Sequence, residues 1–216
     1  HPSPLQNVEA DRADHQRELL DNAHDIAEAM DVTLRTRAMV ASDVGRAILD
    51  VLAEEDADEV LLGWDGTLDH DGHTFGSATD SVVEDAPCDV AIVALRGEIG
   101  APVGLVAPGQ NAPAVARRAI EFATVDDAVP TLLTVRPPDD GSDAERRGTE
   151  FVTEIAEAAG LDPDEYTVEV VVDDDVRSAI LAAVGQYDTV CAGLSRRDGE
   201  SSLSVEFVVD DLAQHV

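Results

Sequence analysis

The chain of 216 residues contains no lysine, and its basic side chains are 14 arginines set against 46 aspartates and glutamates. The formal charge of −32 repels phosphate backbones, so nucleic acid is not an expected partner. The acids are spread among apolar segments instead of forming one block, which argues against a disordered acidic tail. Because such a charge destabilises a compact chain unless salt screens it, we expect a halophilic protein whose stability rises steeply with KCl.

Cysteine and long apolar runs are scarce as well. The two cysteines, Cys88 and Cys191, stand in separate strand-like segments without CxxC or CxxH spacing, so we predict core thiols and neither a zinc site nor a disulfide framework. No stretch approaches the ~20 apolar residues that span a bilayer, and there is no signal-peptide pattern. We therefore expect a cytoplasmic location. The start at His1 instead of methionine suggests a piece of a longer protein.

The chain does contain a regular alternation of strand-like and helix-like segments, with 44% hydrophobic residues to build a core. Strands are predicted at Val32–Ala41, Val60–Leu62, Val90–Leu95, Val103–Ala107, Val129–Val135, Tyr166–Val172 and Thr189–Ala192. Helices are predicted at Asp11–Met30, from Ser42 or Asp43 to Glu55, from Gly76-Ser77 onward, within Pro108–Ala123, up to Gly160, at Val176–Val184 and in an amphipathic tail, Leu203–Val216. This order predicts parallel sheets with helices on both faces.

The two halves of the sequence repeat one another. VASDVGRAIL at 40–49 aligns without a gap with VDDDVRSAIL at 172–181, DEVLLG at 58–63 with DTVCAG at 188–193, and VVED at 82–85 with VVDD at 208–211. An ancestral duplication explains these matches, and we predict domains 1–97 and 98–216. Each domain would be flavodoxin-like with strand order 3-2-1-4-5.

The alignment also shows that neither repeat is complete. The first lacks its opening strand-helix-strand, and the second stops before its last strand. Unpaired edges would then lie in the middle of the first sheet, where backbone groups need partners. The missing pieces belong to a parent chain, or another segment or subunit fills the gap.

A glycine-rich loop follows the strand predicted at Val60–Leu62, with Gly63, Gly66, Gly76 and Ser77 in the spacing G-x2-G-x9-G-S. Glycine lets the backbone approach a phosphate, and the free N–H groups at the start of the next helix, with the Ser77 hydroxyl, favour an anion. The plain alternative is that these glycines only turn the chain at a strand end. The strand predicted before this loop and the helix predicted after it favour a ligand-binding loop.

This spacing, followed by APCDVAIVAL, resembles the nucleotide-binding signature of the universal stress protein (UspA-like) family. The resemblance implies tandem flavodoxin-like repeats of the adenine nucleotide alpha hydrolase-like kind, and ATP or AMP, with Mg²⁺ as a candidate companion, held by Gly63, Gly66, Gly76 and Ser77. It also implies a homodimer formed through the strand at Val90–Leu95. PGQNAPAVARRA resembles the cytoplasmic C-terminal domains of haloarchaeal amino-acid permeases, which implies a transporter domain in the same parent chain.

The sequence departs from the family pattern in ways that affect binding. The first repeat has no opening strand to supply the family's aspartate, and Asp65, Asp69 and Asp71 bring negative charge to the loop. In the second repeat, Pro108-Gly109 takes the place of that aspartate and Arg196 the place of the second glycine, so we interpret this repeat as non-binding. Trp64 would stack on a base or cover the domain edge.

No set of residues in the sequence suggests catalysis. His70 and His73 lie in an acidic loop, DHDGH, which is more typical of exposed loops than of a dedicated metal site. No Ser/His/Asp or Cys/His set stands at a shared strand end, and a chain without lysine has no Walker lysine. We therefore predict a regulatory nucleotide-binding domain that is not an enzyme. The alternative is a dimerisation or interaction module of the same fold that binds no nucleotide.

Overall fold

The computed structural model describes residues 18–64, 76–94, 100–125, 127–138 and 143–193. The chain divides between Val44 and Gly45 into two compact units, which we describe separately. The boundary predicted near residue 97 lies in a stretch outside the described residues, so the division into domains 1–97 and 98–216 stays a prediction.

The described part of the first unit contains helix α1, at residues 18–29. Beyond its last helical residue, Ala29, the chain turns through Asp31, which has φ 54, and the Val32 N–H donates to the Ala27 carbonyl at 3.0 Å. Ala27 is buried, whereas Ile26 is 61% exposed. The predicted helix is confirmed over its described part.

The strand predicted at Val32–Ala41 is wrong, because the structure forms no strand there. All ten residues are exposed, including Val40, so their alternating apolar side chains face no core. A strand needs a neighbour to accept and donate its backbone hydrogen bonds. In the predicted order that neighbour is the strand which the first repeat lacks, and the alternation alone does not form a strand.

The second unit opens with a short βαβ arrangement. Helix α2 (Val44–Glu55) leads into β1 (Glu59–Gly63), and α3 (Ser77–Asp85) leads into β2 (Asp89–Val93). β1 and β2 pair in parallel from Glu59 opposite Asp89 to Gly63 opposite Val93. α2 packs on α3 at Gly45, where a Cβ would lie 3.0 Å from the Ala78 carbonyl oxygen. These elements bury few residues, namely Gly45, Leu52 and Val82.

The remaining elements form a four-stranded parallel sheet with its helices. In chain order they are β3 (Pro102–Leu105), α4 (Ala112–Ala123), β4 (Thr131–Arg136), α5 (Ala144–Ala159), β5 (Thr167–Val172), α6 (Val176–Val184) and β6 (Thr189–Ala192). The sheet order is β5-β4-β3-β6. Numbered from β3 as the first strand of the sheet, this is the predicted order 3-2-1-4. Strands are added on one side of β3 up to β5, and β6 is then added on its other side.

Both faces of this sheet are packed. On one face α4 and α5 enclose a cluster with Leu132, Val152 and Ala116, each fully buried. On the other face α6 covers Val103 and Leu133. The packing is tight, since a Cβ at Gly148 would lie 2.5 Å from a methyl of Val170. Burial of this kind supplies most of the stability of a small α/β domain.

One ion pair joins the two sheets inside the second unit. Arg118 on α4 donates to Glu59 at the start of β1, and its other terminal nitrogen lies 2.6 Å from the Glu121 carboxylate. Among the described residues, no helix has the length and apolar character needed to cross a membrane.

Candidate functional site

The candidate site lies at the carboxyl end of β1, where a crossover helix begins in a parallel α/β fold. Gly63 is the last residue of β1. The Trp64 N–H donates to the Val93 carbonyl at 2.8 Å, so this backbone bond continues the β1–β2 pairing one residue further. The middle of the predicted loop falls outside the described residues, so the roles predicted for its side chains stay predictions. These residues are Asp65, Gly66, Asp69, His70, Asp71 and His73.

Gly76 precedes α3 in a backbone conformation with φ 91 and ψ 150. Side chains of L-residues rarely adopt this conformation, so the geometry requires glycine here. Among the described residues no side chain caps this helix start, and the first bond of the helix runs from the Asp80 N–H to the Gly76 carbonyl at 2.9 Å. Ser77 is the exposed first helical residue. The helix start therefore presents backbone donors of the kind that bind anions.

Gly63 differs from Gly76, because the described structure does not require glycine there. A Cβ at this position would meet nothing within 4 Å among the described residues, so their packing does not require a glycine. Asp80 lies in the first turn of α3 and opposes an anionic ligand. The arrangement has the backbone groups for phosphate binding, together with negative charge that a cation would need to offset.

The equivalent end of β6 is arranged differently. A Cβ at Gly193, just after β6, would lie 2.9 Å from a methyl of Val115 on α4. Gly109 accepts a hydrogen bond from the Ala112 N–H at 3.3 Å and forms part of the turn into α4. The glycine at this strand end is therefore used for packing, and Arg196 and Ser202 of the predicted second repeat lie outside the described residues.

The titratable side chains with shifted pKa values lie in the second half of the chain. Burial raises the pKa of the Cys191 thiol to about 12. Burial also raises the pKa of Tyr187, whose hydroxyl donates to Glu169 at 2.7 Å. Partial burial lowers the pKa of Arg118, but the hydrogen bond to Glu59 and the nearby Glu121 outweigh it and raise the pKa overall. These groups lie in the core or in ion pairs and are not gathered at a strand end.

Two further observations bear on chemistry. Within the described ranges, no group of three or more His, Cys, Asp or Glu side chains is placed to hold a metal ion.

The contact between Arg118 and Glu59 was not predicted from the sequence. These residues lie 59 positions apart, and no spacing rule relates a helix residue to a strand so distant in the chain.

The fold and this strand end define a doubly wound parallel α/β protein with a glycine-bounded loop at the switch from strand to helix. Residues 1–94 match the model of the universal stress protein family. The match covers the candidate loop with Gly63, Gly66, Gly76 and Ser77. The match covers 94 of the 216 residues, and over this part the chain is similar to that family.

Solved structures show the same fold. The chain is similar to a Pseudomonas aeruginosa protein assigned to the universal stress proteins, with a TM-score of 0.61 and 13% identity, covering 94% of this chain and 75% of that one. A universal stress protein from Archaeoglobus fulgidus gives a TM-score of 0.57 and 17% identity, over 94% and 73% of the two chains. These likenesses confirm the predicted α/β fold class.

A curated relative comes from a membrane transport protein. The chain is 25% identical over 207 residues to the Na⁺/H⁺ antiporter NhaS5 of Synechocystis. The match covers 92% of this chain, which spans only 29% of the antiporter. That relative is an antiporter, whereas the sequence predicted an amino-acid permease. The tandem repeat and the permease both stay predictions.

Proposed function

We propose that this chain is a universal-stress-protein-like regulatory domain that binds ATP or AMP at the β1–α3 loop and reports nucleotide level to a membrane transporter. The observation that carries the proposal is the start of α3, where Gly76 has φ 91 and ψ 150 and supplies no side-chain cap. An uncapped helix start after a parallel strand is where α/β proteins bind phosphate. The ligand contacts would come from Gly63, Gly66, Gly76 and Ser77.

The transporter link is supported by the likeness to an antiporter much longer than this chain. In this proposal the domain lies on the cytoplasmic side, as part of a parent chain that carries the transporter, either a cation antiporter or an amino-acid permease. It regulates by binding and does not turn the nucleotide over. The acidic surroundings imply that Mg²⁺ or concentrated cations accompany the phosphates.

Calorimetry with ATP and AMP in molar KCl, with and without Mg²⁺, tests the proposal. Ser77→Ala removes a hydroxyl donor from an exposed position, and loss of one hydrogen bond to a charged group weakens binding by roughly 10- to 100-fold. The matched control is Ser81→Ala one turn further along α3, whose hydroxyl donates to the Ser77 carbonyl at 2.8 Å. This control should bind as the parent does. Absence of heat at millimolar nucleotide would reject the proposal.

The second candidate function, an interaction module without nucleotide, rests on a specific observation. β2 lies at the edge of its sheet, in the position where the sequence predicts pairing across a two-fold axis. A homodimer through β2 with no ATP-dependent change in mass or stability would favour this alternative. Light scattering in molar KCl, with and without ATP, separates the two.

A further inference from the structure

Helices α2 and α3 meet at Gly45, which is the second residue of α2 and is buried. A Cβ at Gly45 would lie 3.0 Å from the Ala78 carbonyl oxygen, 3.1 Å from the Ser81 Cβ and 3.4 Å from the Ala78 Cα. All three atoms belong to the first five residues of α3, which begins at Ser77. Gly45 therefore packs directly against the start of the helix that follows the candidate binding loop.

The space available, and not the backbone conformation, accounts for glycine at position 45. In the described part of the chain the glycines with positive φ are Gly76 and Gly160, so an alanine could adopt the backbone conformation of Gly45. Alanine also forms helix more readily than glycine. Two of the three atoms that a Cβ would meet belong to the backbone of Ala78, and backbone cannot turn aside as a flexible side chain can. An added methyl group would therefore displace the start of α3.

The aligned position in the second half of the chain is not glycine. In the gapless match of residues 40–49 with 172–181, Gly45 aligns with Arg177. Arg177 is the second residue of α6, and it is exposed. The four-stranded half thus forms its corresponding helix without a close approach at this position. The contact at Gly45 belongs to the half of the chain that carries the candidate loop.

We propose that Gly45 is a positioning residue for the nucleotide site. By letting α2 touch the backbone of Ala78, it fixes the first turn of α3 and so the direction of the amide donors that follow Gly76. This inference rests on the proposed binding of nucleotide at the β1–α3 loop. Hydrogen bonds to phosphate weaken outside a narrow range of distance and angle, so a small shift at Ala78 changes the contacts made one residue away, at Ser77.

Gly45→Ala in the full chain, studied in molar KCl, tests this role. The methyl group moves the first turn of α3 away from α2, and we expect the Kd for ATP to rise roughly 3- to 10-fold because small misplacements of binding groups are costly. Gly45→Val, with its larger side chain, should raise the Kd further. The matched control is Gly185→Ala, where the nearest described atoms lie 3.9 Å from the added Cβ. This control should bind ATP as the parent does.

Two further measurements separate positioning from a general loss of stability. Adenosine carries no phosphate for the start of α3 to hold, so its Kd should stay close to the parent value in Gly45→Ala. Amide exchange without nucleotide should become faster at residues 80–82, whose first member donates to the Gly76 carbonyl. Exchange at residues 152–159 of α5 should stay unchanged, because that helix packs in the four-stranded half.

The possible outcomes distinguish this inference from the function on which it rests. Absence of ATP binding by the parent chain rejects the proposed function, and this inference with it. Binding by the parent with an unchanged Kd in Gly45→Ala overturns this inference alone. Equal losses of affinity for ATP and adenosine also overturn it, since Gly45 would then only stabilise the fold. A loss of the same size in Gly185→Ala would overturn it as well.

Discussion

The four-stranded sheet and the two-stranded sheet are built from similar strands, but they bury them to different extents. Val103, Leu132 and Leu133 in the first are at most 1% exposed, whereas Leu61 in the second is 62% exposed. Both strand sets are rich in branched apolar residues, so composition does not cause the difference. The cause is the number of neighbouring elements, because a parallel sheet acquires its core only when strands and helices cover both faces.

The largest expected difference between these regions is in thiol reactivity. Cys191 is buried in the four-stranded half with a pKa of about 12, and Cys88 beside β2 is half-buried. At pH 8 only about 10⁻⁴ of Cys191 is thiolate, the reactive form. We expect a maleimide to label Cys88 in the native protein and Cys191 only after unfolding, with site occupancy read by mass spectrometry. Equal labelling rates for both thiols in the native protein at pH 8 would contradict the comparison.

A pair of identical substitutions tests the packing difference directly. Leu132→Ala empties a fully buried site in the four-stranded sheet and should lower the free energy of unfolding by about 2–5 kcal/mol. Leu61→Ala truncates an exposed side chain in the two-stranded sheet and should change it by less than about 0.5 kcal/mol. Urea denaturation in molar KCl measures both. Similar losses at the two sites would mean that Leu61 is covered in solution.

Much of this architecture could be predicted from the sequence. Apolar runs bounded by turns located β6 at Thr189–Ala192 and α6 at Val176–Val184 as observed. The predicted repeat and the right-handed rule for parallel crossovers then restrict the sheet order to few choices. Local pattern is sufficient here because each of these segments has its neighbours within the chain.

The failures have one physical origin. Val32–Ala41 has the alternation of a strand but lies exposed, because no strand pairs with it among the described residues and alternation cannot supply a partner. At the candidate site, the sequence predicted the need for glycine at Gly76 but gave no reason to separate it from Gly63. Only the structure shows that the backbone conformation requires glycine at Gly76 and that the packing of the described residues does not require glycine at Gly63.

The smallest expected effect concerns the ion pair that joins the two regions. Arg118→Gln removes the contacts of α4 with Glu59 and Glu121, whose side chains are 40% and 56% exposed. Solvent screening limits the loss to about 0.5–1 kcal/mol, but amide exchange at residues 59–63 should become faster.

Arg146→Gln is the matched control for that measurement. Arg146 also bridges two carboxylates, Asp143 and Glu150, but both lie at or within α5. Its loss should leave exchange in β1 unchanged. If both substitutions speed exchange in β1 equally, the bond between Arg118 and Glu59 does not join the sheets.

Among the described residues, the edge of β1 away from β2 has no strand partner. This edge and the acidic surface together affect how the protein aggregates. An uncovered strand edge beside an exposed leucine is a template on which separate chains can stack into aggregates. Repulsion between molecules that each carry −32 slows their encounter, while the salt that we expect to favour compactness removes the same repulsion. We therefore expect unfolding to limit the protein at low ionic strength and aggregation to limit it at high ionic strength.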